Sequence, residues 1–191
     1  LPLVLAVLCI AMIAQSLNLN EIIAQQSIIP NIVFQPFAFF LFFTAALAEM
    51  NRSPFDIPVG ESEVVGGPFV EYSGIRWSMF FLAEYTALLI MSILTVALFL
   101  GGWSWPFGED LGTFWQIFLT IAKTSLVIFL IFWVRVSVPR LRIDQLMNFC
   151  WKVLIPLALL QIFANGFILV YELPKFLLTF SSVLLMIALV F

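Results

Sequence analysis

Two carboxylates, Glu49 and Glu84, are embedded in long apolar runs, and four more acids, Asp56, Glu61, Glu63 and Glu71, lie between them. These six belong to a chain with only 11 acidic residues, and the same stretch offers two cations, Arg52 and Arg76, so it is net negative. An ionised carboxylate beside a bilayer is costly unless it meets a partner, water or a bundle interior. Burial and like-charged neighbours favour the neutral form of a carboxyl group. A carboxyl poised between its two forms can take up and release a proton. Glu49 and Glu84 are therefore candidate proton-transfer groups, set against the plainer reading of hydrogen-bonded packing residues. Lys123 is a third charge within an apolar run. It is either a proton carrier or a snorkelling side chain, and its central position makes snorkelling difficult.

The segment between the two glutamates has the makings of a fixed loop. Prolines 54, 58 and 68 and glycines 60, 66, 67 and 74 exclude one long helix across it. Phe55, Ile57, Val64, Val65, Phe69, Val70 and Tyr72 give it apolar side chains to pack, which a free linker would lack. A structured acidic cytoplasmic loop over 52–75 follows. In it, Arg52 beside Pro54-Phe55-Asp56 predicts an internal ion pair that holds the turn. An arginine and several acids at an apolar mouth also suit contact with a quinone head group. The other reading of the loop acids is a solvated face.

The elements that must position these groups are transmembrane helices. The 191 residues are 63% hydrophobic and 10% charged, with mean hydropathy +1.14, whereas a soluble domain is roughly a quarter charged. A helix needs about 20 apolar residues to cross the hydrocarbon core. Spans are expected at about 1–16, 32–51, 76–101, 112–134 and 152–170, with a further candidate at 175–191. The fold class is an all-α polytopic transmembrane helix bundle of five to six spans, forming one domain over 1–191. Pro36 and Pro156 fall in the first turns of their helices, where proline is tolerated. The segment 17–31 is polar with interleaved apolar residues and suits the interface. The Phe-rich stripes of 32–51 and 76–101, including Phe37, Phe42 and Phe80, read as packing or lipid-facing rather than cofactor-binding.

Segments 52–77 and 135–152 carry six of the eight Lys and Arg residues, and 17–31 and 102–112 carry none. The positive-inside rule places the acidic loop and the basic segment on the cytoplasmic or matrix side. The chain opens at Leu1 in one apolar run and stops at Phe191 in another, which reads as a C-terminal fragment lacking earlier helices.

The absence of histidine removes the commonest metal ligand, and Cys9 and Cys150 have no CxxC spacing, so no metal site of the chain's own is expected. A net charge of -3 without a basic block argues against nucleic acid.

Several stretches then carry a resemblance. Glu49-Met-Asn-Arg-Ser-Pro-Phe-Asp-Ile-Pro, Glu61-Ser-Glu-Val-Val-Gly-Gly and Val70-Glu-Tyr-Ser-Gly are followed by Phe81-Leu-Ala-Glu-Tyr, Phe99-Leu-Gly-Gly-Trp, Trp133-Val-Arg and Pro139-Arg-Leu-Arg-Ile-Asp-Gln-Leu-Met. Together they resemble the family of the membrane-embedded H subunit of NADH:quinone oxidoreductase, respiratory complex I. The resemblance covers about 1–170, as the last five of the family's eight helices. It implies a membrane protein that forms part of the quinone chamber and couples quinone reduction to proton translocation through a file of acids. On matching positions, Glu49 and Glu84 look like members of that file. Arg52, Asp56, Glu61, Glu63 and Glu71 look like the charged inner loop at the chamber. Val59 stands where the family usually has a further Glu, and Gly60 where it has Ala, which removes one negative charge.

The resemblance further implies that quinone is a substrate and that NADH, flavin and iron–sulfur clusters belong to partner subunits. It implies other membrane-arm subunits and peripheral iron–sulfur subunits as partners. The implied setting is a bacterial inner (plasma) membrane, ahead of a mitochondrial or plastid one. The competing readings are a related membrane-bound hydrogenase subunit, a proton-coupled secondary transporter and a structural anchor. A transporter of that kind would be expected to show an internal repeat, and none is evident.

Overall fold

The computed structural model describes residues 1–56, 72–104 and 112–190, and among them it is helical throughout, with no strand. The order is α1 (Pro2–Ala14), α2 (Leu19–Gln25), α3 (Asn31–Phe34), α4 (Pro36–Glu49), α5 (Ile75–Phe99), α6 (Thr113–Ser137), α7 (Ile143–Phe149), α8 (Ile155–Val170) and α9 (Phe176–Val190). A single π turn, Cys150–Leu154, joins α7 to α8.

The centre of the bundle is α4, which packs against α1, α5, α8 and α9. Its apolar residues turn inward: Phe37, Ala38, Leu41 and Phe42 are fully buried. The rings of Phe39 and Phe42 each lie 5.5 Å from the ring of Phe99 on α5. The Phe stripe of α4 is thus core, whereas Phe80 and Phe81 on α5 are exposed. Helix α6 packs chiefly on α5 and presents Phe114, Trp115, Phe118, Phe129 and Trp133 outward. An outward apolar face of that kind is what lipid or another membrane subunit would cover.

The all-helical expectation is borne out, while several boundaries shift for identifiable reasons. Pro36 does not merely sit in the first turns of a 32–51 helix; it divides α3 from α4. A residue before proline is pushed away from the helical region, and Gln35 accordingly has φ -137 and ψ 66. The basic segment after 135 is largely helical instead of a loop, because α6 continues to Ser137 and helix resumes at Ile143. Pro156 cannot bond to the carbonyl four residues back, and its ring crowds it. The π turn immediately before it absorbs that misfit, so helix runs unbroken from Ile143 to Val170. The polar segment after α1 contains α2, whose axis bends 62° from that of α1.

By length and composition, three helical stretches among the described residues can cross a membrane, Ile75–Phe99, Thr113–Ser137 and Ile143–Val170, or four if α1 and α2 make one bent span. The five to six spans expected are thus roughly matched, with α4 and α9 apolar but shorter. At 14 residues α4 rises only about 21 Å, short of a hydrocarbon core of about 30 Å.

The far end of α5 needs donors for its last carbonyls, as any helix C-terminus does. Gln26 gives its Nε2 to the Ala97 carbonyl at 3.1 Å, and Asn31 gives its Nδ2 to that of Leu98 at 3.1 Å. Gly102 closes the turn at φ +51, with the side chain of Ile23 only 3.0 Å from where a Cβ would stand. A larger residue there would meet both backbone strain and a clash.

Candidate functional site at the charged end of the bundle

The last turn of α4 sets the site. Asn51 adopts φ 48, the left-handed conformation that asparagine tolerates better than most residues. Its N–H bonds to the Ala48 carbonyl at 3.3 Å, and the Arg52 N–H reaches back to the Leu47 carbonyl at 3.2 Å. This is a Schellman ending, with asparagine where glycine is commoner. It turns the chain sharply at Arg52. The Phe55 N–H then closes on the Arg52 carbonyl at 2.8 Å, and Phe55 is buried.

Arg52 is only 8% exposed. Its Nη2 lies 3.6 Å from Oε2 of Glu84, and its guanidinium carbon is 5.0 Å from the centre of the Tyr85 ring. The contact to Glu84 is an ion pair longer than a hydrogen bond, and the Tyr85 face adds a cation–π attraction. Tyr85 packs on Phe81 at 4.7 Å and Phe81 stacks on Trp77 at 5.3 Å, one aromatic ladder at four-residue spacing along α5. The sequence reading missed Tyr85, although that spacing beside Glu84 was its signal.

The expected pairing of Arg52 with Asp56 does not form. Asp56 instead pairs with Arg140 at 3.6 Å, and the Leu141 N–H donates to the Pro54 carbonyl at 3.0 Å. The acidic loop's first turn is thereby tied to the segment that leads into α7. Arg140 is a second residue that the sequence reading left out of the site.

Glu49 is exposed and has no ion pair among the described residues. It stands at a cleft of about 190 Å³ lined by Leu3, Thr44, Ala48, Phe55, Leu146, Cys150 and Leu154. The π turn supplies two of those walls. Arg76 is exposed in the first turn of α5. Glu61, Glu63 and Glu71, with Val59, lie outside the described residues. The structure therefore joins Arg52 to Glu84 and Tyr85, joins Asp56 to Arg140, and sets Glu49 at the cleft.

Lys123 belongs to the opposite end of α5. Its ammonium donates to the carbonyls of Leu100, Gly102 and Ser104 at 2.8, 3.0 and 2.7 Å. All three of its donors are thus engaged, and its charge sits where the α5 dipole is negative. Among the described residues no three His, Cys, Asp or Glu side chains gather as a metal site.

Comparison with known proteins adds a decisive observation. Residues 1–166 match the family described as NADH dehydrogenase. The chain belongs to that family. Among its relatives, the NADH-quinone oxidoreductase H subunit of Anoxybacillus flavithermus (strain DSM 21510 / WK1) is 50% identical over 169 residues, covering 87% of this chain and 50% of the relative. The H subunit of Geobacillus sp. (strain WCH70) is 49% identical over 170 residues, covering 88% and 50%. That of Carboxydothermus hydrogenoformans (strain ATCC BAA-161 / DSM 6008 / Z-2901) is 46% identical over 167 residues, covering 87% and 47%. The resemblance read from the sequence motifs is borne out. The chain spans about half the length of the curated relatives it matches. Within the family-matched region lie α1 to α7 and most of α8, and α9 follows it.

The two ends make separate predictions. Replacing Glu84 with Leu takes from the buried guanidinium of Arg52 the one carboxylate it meets among the described residues and is expected to cost about 3 kcal/mol. Replacing Arg52 with Met leaves a glutamate whose side chain is 35% exposed, and solvent limits the loss to about 1 kcal/mol. Thermal unfolding of the assembled protein should show that order; equal shifts would mean that the pair is not the buried contact described. At the other end, Lys123→Met strands three carbonyls and should cost at least about 3 kcal/mol. An unchanged midpoint in the same assay would show that those carbonyls are held by something else.

Proposed function

We propose that this chain is part of a membrane subunit of a proton-pumping NADH:quinone oxidoreductase. In that role it forms a portion of the quinone chamber and couples quinone reduction to proton translocation. The observation that carries the reading is the buried Arg52 set against Glu84 and Tyr85 at the charged end of an apolar bundle. The family membership and the NADH-quinone oxidoreductase relatives support it.

Quinone is the substrate in this proposal. Electrons come from iron–sulfur clusters in peripheral partner subunits, which receive them from NADH and flavin. Other membrane-arm subunits cover the outward apolar faces of α5 and α6. The setting is the inner (plasma) membrane of a bacterium, in keeping with the bacterial relatives. The charged end faces the cytoplasm, where the peripheral subunits dock.

The roles divide by position. Asp56 and Arg140, with Arg76 and the loop acids Glu61, Glu63 and Glu71, shape the charged chamber wall. Arg52 is a fixed cation, because a guanidinium does not lose its proton in proteins. Reduced quinone differs in charge and proton demand from oxidised quinone. A change of charge beside Arg52 alters its attraction to Glu84, and Glu84 responds by shifting its proton or its position. Glu49, at the cleft on the inner end of α4, is the next carboxylate placed to take part. Lys123, with its three donors engaged, contributes to coupling as a fixed charge at the far end of α5. Proton transfer through it would first have to break one of its bonds.

Glu49→Gln and Glu84→Gln both keep an oxygen in place while removing the ionisable group. In the assembled complex each should lower quinone-dependent NADH oxidation and proton pumping severalfold, with subunit composition unchanged. Full pumping in both variants would remove these residues from the mechanism.

A further inference from the structure

Far from the charged end, four buried polar atoms have no protein hydrogen-bond partner among the described residues. They are both amide atoms of Gln35, the amide oxygen of Gln161 and the amide nitrogen of Asn165. All three side chains are completely buried. Gln35 lies at the break between α3 and α4. Its neighbour Phe34 receives the hydroxyl of buried Ser182, on α9, through its carbonyl at 3.4 Å. On α8, Gln161 donates to Asn165 Oδ1 at 3.0 Å, which leaves the two remaining amide atoms unsatisfied. These two amides interrupt a stripe otherwise made of Leu154, Ala158 and Ile168.

Chain direction puts the two places in the same half of the bundle. Helix α4 runs from Gln35 toward the charged end, and α8 runs away from it, with Gly166 against Met12 near the far end of α1. An amide buried without a partner is strongly unfavourable, and more so where no bulk water reaches. Buried water commonly resolves this, each molecule making two to four hydrogen bonds to such groups. The chemistry of the set selects the ligand. Donors and acceptors occur in equal number and none is charged, so a bound cation or anion would find no counter-charge. A small neutral molecule that both donates and accepts fits.

We propose that this half of the bundle holds ordered water at two sites, one on the Gln35 amide and one on the Gln161–Asn165 pair. The contact of α4, α8 and α9 is then a wet one, hydrogen-bonded through water. This does not depend on the functional reading above, because it involves none of those residues.

The test is a high-resolution density map of the assembled complex carrying the full protein. Water density is expected at hydrogen-bonding distance, about 2.7–3.2 Å, from Gln35 and from both Gln161 Oε1 and Asn165 Nδ2. In a Gln161→Leu, Asn165→Leu double variant the second density should vanish and the first remain. A wild-type map with only carbon around these amides overturns the proposal, and so does one with a protein or lipid group bonded to them. That map decides the matter even if the variant does not fold.

Discussion

A guanidinium that cannot shed its charge sits almost wholly inside an apolar bundle, and the surrounding structure is arranged to make that tolerable. Among the described residues Arg52 has one carboxylate, Glu84, and one aromatic face, Tyr85, and the two are consecutive on α5. Bringing them to Arg52 requires α5 to pass close to the last turn of α4. It also requires that turn to bend sharply at Asn51. A buried charge whose partner is altered must move, be resolvated or be re-paired. Any event that changes charge near this point is therefore felt by Arg52 and Glu84 together.

The two ends of α5 are held by different chemistry. At the charged end the contacts are ionic and aromatic, and they are long: 3.6 Å for the ion pair and 5.0 Å for the cation–π contact. At the far end Gln26, Asn31 and Lys123 satisfy the carbonyls of the last turn and the residues after it with hydrogen bonds of 3.1 Å or less. One end is pinned through directional bonds, while the other is held by forces that tolerate displacement. A helix fixed in that way can adjust where charge changes while staying anchored where it does not.

Much of the fold was legible because membrane helices announce themselves by uninterrupted apolar length. Helices α1, α5 and α6 fall close to where that length placed them. Positions that depend on two competing tendencies were not legible. Pro36 is tolerated near a helix start yet also breaks one, and only the non-helical backbone of Gln35 shows that it breaks this one. Pro156 marks no beginning, because the π turn from Cys150 to Leu154 lets helix run through it. At the site, the acidic cluster and Arg52 could be read from composition and spacing. Their pairing could not. Proximity in sequence favoured Arg52 with Asp56, but the turn at Asn51 sends Arg52 toward α5 and leaves Asp56 to Arg140. Lys123 was visible as an intramembrane charge, while its partners are backbone carbonyls that no residue type reveals.

The central claim is that the carboxylate facing Arg52 changes state when quinone is reduced. Infrared difference spectra between the oxidised and reduced forms of the assembled complex test this most directly. The account predicts a carboxyl signal in the wild type that is lost in Glu84→Gln. A difference spectrum unaltered in that variant would contradict it.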